Sequence, residues 1–395
     1  MIKISKLDFL NSLKILKKER FVNMKIAIQA ADLDWARIDG TRVYILNMLK
    51  YFGQLDPKSQ FLIYHKKNFN PELTPASFSN YKIWKIPFPF FWTQIRLCLS
   101  LFWEKPDVLW MPMHNIPLFR NKKMKTVVTI HDLAFKYFPD HFRAGDLLKL
   151  NLLVGWAVRR SDGIIAISEA TKYDILKFYP KIEENKIKVI NHGFDKEVFD
   201  KDRNPEKEQE IRNKFNIRGR YIFYIGALQP RKNLKTLISA FEELKKEEKY
   251  NDVKLVLAGE KAWLWKEIFS QIENSPAKLE IITPGKIKFA DLGHLMRGAE
   301  IFCFPSLYEG FGIPVLEAFI SRVPVICANN SSLPEVAGEA ALYFAPKNHL
   351  ELSSQIKKVL DSPKLRQDLI SKGLLQARKF SWEKCAKETL EYLKS

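Results

Sequence analysis

Two glutamates, Glu309 and Glu317, bracket the run Gly310-Phe311-Gly312-Ile313-Pro314, the segment of the chain best equipped for ligand chemistry. A β-rich run ends near Pro305, and Pro314 stands where a helix should begin. Proline suits a first helical position because its missing N–H would find no partner there anyway. Glycines let a backbone come close to a ligand, and free N–H groups at a helix start favour an anion or sugar oxygens. Glu309 precedes the turn and Glu317 lies about one helical turn inside, so both can face one cleft. Such a pair suits acid–base work or the binding of hydroxyls. A tight strand–helix turn with solvated glutamates fits the same letters equally well.

A second constellation follows the run Tyr221-Ile-Phe-Tyr-Ile-Gly226, where Arg231 and Lys232 precede Asn233, a candidate N-cap for LKTLISAFEEL. Two cations beside a helix N-terminus make a cradle for a diphosphate, although a solvated basic turn is common in so basic a chain. In the first half, Lys125–Ile130 runs into His131 and Asp132. A histidine at the carboxyl end of a strand can hydrogen-bond a sugar hydroxyl or handle a proton, or simply cap local backbone. Asp132 reads as structural, since adjacent side chains leave a strand in opposite directions. His114 and Asn115 follow another short β run and are candidates for an acceptor pocket. Ser168 reads as an N-cap, and Gly40 sits in the first βα loop, where a glycine near phosphates makes sense.

These residues need a frame to hold them. A chain of 395 residues is long for one domain and comfortable for two, and 46% apolar content excludes a disordered protein. β runs at 25–29, 60–64, 81–86, 107–110, 125–130, 163–167 and 186–190 are separated by several helical stretches. A charged stretch at 196–210 then reads as a linker or surface helix, and the alternation restarts at 221–226, 254–258, 279–282, 301–305, 324–327 and 341–344. The pattern predicts an α/β protein with two doubly wound, Rossmann-like domains facing across a cleft. The expected division is a basic extension at 1–23, a first domain at 24–195, the linker, a second domain at 211–378, and a closing helical segment at 379–395.

The net charge of +19 draws polyanions: nucleic acid, an anionic membrane surface or a phosphorylated substrate. No nucleic-acid motif accompanies it, and the aromatics are spread through expected cores, so no nucleic-acid partner is expected. The four cysteines show no metal-ligand or disulfide spacing, and no metal site is expected. No secretory signal is evident, and a cytoplasmic location, free or peripheral at the inner face of the membrane, is expected. Residues 1–23 read as a basic amphipathic helix or, preferentially, as an appendage upstream of Met24. The apolar stretch from Phe88 to Trp103, broken by Pro89, Gln94 and Arg96, is too interrupted to span a bilayer and reads as core, with membrane contact as the other option.

Taken together these segments resemble the family-four group of retaining glycosyltransferases, which have the GT-B architecture. PSLYEGFGIPVLEAF is similar to the group's pair of glutamates, QPRKN to its diphosphate-binding turn and VVTIHDLAF to its N-domain histidine. ISEATKYDIL, NNSSLPEVAGEAALYF and FSWEKCAKETL add to the resemblance, which runs from Met24 to the end. It implies that Arg231 and Lys232, with Gly226 and Gly40, hold a donor diphosphate, and that Glu317 holds the ribose. It also implies that Glu309 and Gly310-Phe311-Gly312 hold the donor sugar, that His131 reaches it from the opposite domain, and that Glu309 and His131 are the catalytic residues. No cofactor is implied beyond a GDP- or UDP-linked sugar donor, with mannose from GDP-mannose or a UDP-hexose as the donor class. The acceptor would be a saccharide or lipid-linked saccharide, met in the cytoplasm or at the inner face of the membrane. Base contacts would come from around 284–287. Two features depart from the group: Ser321-Arg322 replaces a small residue and glycine, and the first loop keeps only Gly40. A nucleotide-sugar epimerase on the same fold is the alternative. A glycoside hydrolase, which also uses paired carboxylates, needs no basic cradle.

Overall fold

The computed structural model describes residues 23–201 and 204–395. The expectation for residues 1–23 therefore lies, apart from Asn23, outside the described residues. Seven strands form the first sheet: β1 (Lys25–Gln29), β2 (Gln60–His65), β3 (Tyr81–Lys85), β4 (Val108–Met111), β5 (Lys125–Ile130), β6 (Gly163–Ala166) and β7 (Ile187–Val189). Their order is β3-β2-β1-β4-β5-β6-β7. Six form the second: β8 (Tyr221–Ile225), β9 (Lys254–Ala258), β10 (Ile281–Gly285), β11 (Ile301–Phe304), β12 (Val325–Ala328) and β13 (Ala341–Phe344), in the order β10-β9-β8-β11-β12-β13. Every pairing is parallel. Strands such as β4, β6 and β12 are buried along their whole length. Their apolar runs therefore do not alternate, as a sheet covered on both faces requires.

The strand order reverses between β1 and β4 in the first sheet and between β8 and β11 in the second. Loops leaving the carboxyl ends of strands diverge at such switch points and open a crevice. His114, His131, Arg231, Lys232 and Glu309 all lie in segments that leave β4, β5, β8 or β11 at that end.

Three cores hold this frame. The second sheet has one, and the first sheet has one on each face. Helix Gly40–Leu55 starts at Asp39, whose carboxylate accepts from the Arg42 amide at 3.2 Å. The last helix, Trp382–Lys394, buries Trp382, Cys385, Ala386, Leu390 and Leu393 in the same cluster as Tyr44 and Trp110 of the first domain. A large apolar side chain buried in this way contributes about 1.5–3 kcal/mol. The chain thus closes on the domain it began with.

Three expectations need correction. The charged stretch at 196–210 is more than a linker or surface helix: Phe199 is fully buried in the core of the second sheet, and Glu208 is buried beside Arg297. A few apolar anchors among many charges suffice to dock a short helix. β10 continues through Pro284 to Gly285, where the expected base-contacting loop would begin; an edge strand with an irregular register tolerates proline. The Phe88–Trp103 stretch is only half core. Trp92, Leu97 and Leu101 are buried, while Phe90, Phe91, Phe102 and Trp103 face solvent. Among the described residues no helix is long and apolar enough to cross a membrane.

Candidate active site

β11 ends at Phe304 and the chain turns through Glu309 into helix Ile313–Ile320. Gly312 caps that helix at φ 114°, a left-handed conformation open to glycine at little cost, and Pro314 occupies the first turn. Serines fasten the loop from behind. Ser331 Oγ accepts from the Glu309 amide at 3.0 Å, and Ser332 Oγ donates to the carbonyls of Glu309 and Phe311. The backbone around Glu309 is therefore preset.

The Glu309 carboxylate is gripped by Lys232 Nζ, with Arg231 Nη1 at 3.6 Å. Arg231 also donates to the Tyr308 carbonyl, and its own carbonyl accepts from the Leu307 amide. Burial alone would raise the Glu309 carboxyl, but Lys232 and Arg231 outweigh it and hold the group below the usual range. Glu309 stays ionised. Two cations, Arg231 and Lys232, and two carboxylates, Glu309 and Asp132, thus act on one another in a nearly dry setting. Buried charges are tolerated where each has a partner. Asn233 does not cap the following helix as expected. It takes a left-handed conformation and donates to the carbonyls of Pro305 and Pro346, tying the basic turn to β11 instead.

Glu317 behaves differently. No hydrogen bond or ion pair engages its carboxylate among the described residues, and burial, followed by the nearby Asp195 carboxylate, pushes it up to about 8. It senses Asp195 rather than the two cations. The two glutamates are thus separate groups, not a coupled acid–base pair.

From the other domain comes His131. Its Nε2 lies 2.8 Å from the Pro112 carbonyl, an acceptor only, so Nε2 carries the proton and Nδ1 presents a lone pair. Burial lowers its pKa, keeping the ring neutral near pH 7. Tyr44 and His192 pack against it at ring-centroid distances of 5.2 and 5.5 Å. Asp132 accepts from the Ala134 amide at 3.0 Å, and its charge also acts on Arg231 and Lys232. A cavity of about 220 Å³ opens between the domains, lined by His114, His131, Asp132, His141, Arg231 and Trp263, among others. Asn115 does not line it. Its amide donates to Thr93 and accepts from Gln94. Gly40 faces the start of helix Ile313–Ile320, its nearest neighbour being the Ile313 side chain. Gly226 lies between the ends of β8 and β9, its amide donating to the Ala258 carbonyl at 3.0 Å.

The cleft is closed by contacts that the residue pattern did not single out. Gly310 packs directly on the His131 backbone, where a Cβ would come within 1.9 Å of the His131 carbonyl oxygen. Ser168, the expected N-cap of helix Glu169–Phe178, also donates its hydroxyl to the Gly310 carbonyl at 2.7 Å. Tyr308 donates to the Asp174 carboxylate, which also accepts from Tyr137 at 2.5 Å. Glu335 accepts from the amides of Glu169 and Ala170 and from the Asn191 side chain. A serine that caps one helix shows no sign in sequence of a second bond to a distant glycine.

Residues 206–376 match the family model described as glycosyl transferases group 1, and residues 38–198 match that of glycosyltransferase family 4. The chain is 29% identical over 279 residues to O-antigen chain mannosyltransferase B of Escherichia coli, covering 68% of this chain and 70% of that protein. It is 28% identical over 275 residues to O-antigen chain mannosyltransferase RfbU of Salmonella typhimurium, covering 69% and 70%. In fold it is similar to Anabaena HepE, solved in complex with UDP and glucose, with a TM-score of 0.73 at 17% identity over 94% of this chain and all of that one. WaaG, a glycosyltransferase involved in lipopolysaccharide biosynthesis, is similar with a TM-score of 0.70 at 14% identity, over 93% of this chain and 99% of that one.

Proposed function

Because the chain belongs to the family-4, group-1 glycosyltransferases of GT-B fold, we propose that it moves a hexosyl group, mannose from GDP-mannose or a hexose from UDP, onto a saccharide or lipid-linked saccharide in cell-surface polysaccharide synthesis. The mannosyltransferase relatives in O-antigen synthesis favour that product class. The observation that supports the reading most is the adjacent pair Arg231 and Lys232 on the turn leaving β8, with Arg231 lining the cavity between the domains. Two such donors suit the charge of a nucleoside diphosphate.

In this reading Arg231 and Lys232 hold the diphosphate, with Gly226 and Gly40 giving the backbone room beside it. Glu309 and the Gly310-Phe311-Gly312 backbone hold the sugar, and the unengaged Glu317 carboxyl hydrogen-bonds the ribose diol. His131, neutral and offering Nδ1, accepts from a sugar hydroxyl, and His114 lines the acceptor side of the cavity. The bond from the anomeric carbon to the diphosphate oxygen breaks as the acceptor oxygen bonds the same face, and the acceptor proton passes to that departing phosphate oxygen. The anomeric configuration is retained. The two cations stabilise charge growing on the leaving group, the task a divalent ion performs elsewhere, so this route needs no metal. The work is done on the cytoplasmic side, at the membrane surface where the acceptor is lipid-linked.

The test is incubation with UDP-, GDP- and ADP-sugars, with and without saccharide acceptors, following nucleotide release and the anomeric configuration of the product by NMR. Acceptor-dependent release with retention is expected. Conversion of the donor sugar without acceptor would favour an epimerase, and indifference to every nucleotide sugar would sink the reading.

A further inference from the structure

One surface of the first domain is built unlike the rest. Phe90, Phe91, Phe102, Trp103 and Phe119 are each at least 70% exposed, with Leu118 beside them. Single exposed apolar residues are ordinary, but five exposed large aromatics in two short segments are not. The segments form one surface. Cys98 Sγ donates to the Phe119 carbonyl at 2.9 Å, the Gln94 amide donates to the Ile116 carbonyl, and Gln94 Oε1 accepts from the Leu118 amide at 2.7 Å. Trp92, Leu97 and Leu101 anchor it on the core beneath β4 and β5. The aromatics are thus held outward by a packed base, and residues 93–97 form a π-helical turn, a geometry frequent at functional sites.

The charges around it are mostly positive. Between residues 87 and 123 stand five bases, Arg96, Lys105, Arg120, Lys122 and Lys123, against two acids, Glu104 and Asp107. The Lys25 ammonium pairs with Glu104 at 3.7 Å, and the Lys25 backbone amide donates to Asp107 at 2.8 Å. Protein–protein interfaces are depleted in lysine, whereas aromatics beside unpaired lysines match a bilayer surface: rings at headgroup depth and cations on anionic lipid. We propose that this face docks on an anionic lipid bilayer.

Docking there has a consequence for the cleft. Met113 and His114 line the cavity, and Phe119 lies five residues beyond His114. Five residues span at most about 18 Å, so the docked face and the cavity are close neighbours on the first domain. An acceptor on a lipid carrier can enter while its tail stays in the membrane. That delivery role rests on the glycosyl-transfer reading; the docking itself does not.

The experiment is co-sedimentation of the full chain with vesicles of phosphatidylcholine containing phosphatidylglycerol, compared with pure phosphatidylcholine. The wild type and the double variant Phe102→Ser/Trp103→Ser are measured side by side, with nucleotide-diphosphate binding as a check on folding. Exposed as they are, both positions can change without loss of the fold. Expected are binding to the anionic vesicles that weakens in salt, and a loss of about tenfold or more in the double variant at unchanged nucleotide affinity. A second variant, Lys122→Glu/Lys123→Glu, should lose binding to the anionic vesicles alone. Equal vesicle binding by wild type and Phe102→Ser/Trp103→Ser, or none by the wild type, would overturn the proposal. So would a dimer that this variant converts to monomer, since a second copy would then be the occupant. Vesicle binding without any nucleotide binding would leave docking standing and count against glycosyl transfer.

Discussion

Tyr308, one residue before Glu309, donates its hydroxyl across the cleft to the buried carboxylate of Asp174. The same oxygen accepts from the Leu133 amide at 3.3 Å. The loop carrying the proposed sugar-binding glutamate is therefore fastened to the opposite domain by its immediate neighbour. Tyr308→Phe should lower kcat by about tenfold while nucleotide affinity changes by less than about threefold, because it loosens closure rather than the diphosphate contacts. Steady-state kinetics beside calorimetric titration separate the two. A collapse of nucleotide affinity at unchanged kcat would place Tyr308 in the donor site and dismiss its role as a latch.

Gly310 sets the distance between the domains. A methyl group there meets the His131 carbonyl, which is backbone and cannot swing aside. Gly310→Ala should leave both domains folded yet reduce transfer by about a hundredfold, the scale expected when reacting groups are displaced by roughly 1 Å. Circular dichroism and transfer rates check this together. Near-normal activity would mean that catalysis does not need this closure.

Glu317 gives a pH signature. Its folded pKa is raised from 4.5 to about 8, so between those values the folded chain keeps a proton that the unfolded chain has released. The stability from this group is complete below the lower value and is lost as pH rises through the higher one. The melting temperature of the wild type, relative to Glu317→Gln, should therefore fall from about pH 5 to about pH 8. The same variant should also narrow the preference for ribonucleotides over 2′-deoxyribonucleotides. A flat difference curve would show that Glu317 is not desolvated, and an unchanged ribose preference would remove it from the donor site.

The fold was legible because its signals are local. Strands buried on both faces read as continuous apolar runs, and Pro314 and Ser168 mark helix starts by their own chemistry. The segments bearing Arg231, Lys232 and Glu309 could be placed at strand ends for the same reason. What escaped depends on contacts between distant parts of the chain. Nothing near Asp174 or Glu335 in sequence announces that either reaches across a cleft. Asn233 has the residue type of a cap, yet the carbonyls of Pro305 and Pro346 claim its amide. The aromatic stretch after Phe88 misled for another reason. Apolar letters are normally core, and only the packing shows that Trp92 and Leu97 face inward while Phe102 and Trp103 do not.

The central claim is that Arg231, Lys232 and Glu309 await a nucleoside diphosphate, and Lys232 tests it most directly. Removing a charged hydrogen-bond donor costs about 1.5–3 kcal/mol, or roughly 10- to 150-fold in affinity. Calorimetric titration of wild type and Lys232→Ala with GDP, UDP and the matching nucleosides is the measurement. One diphosphate should bind the wild type and lose at least about tenfold in the variant, while the weak nucleoside affinity does not move. Equal diphosphate affinity in the two proteins, or no diphosphate binding at all, would contradict it.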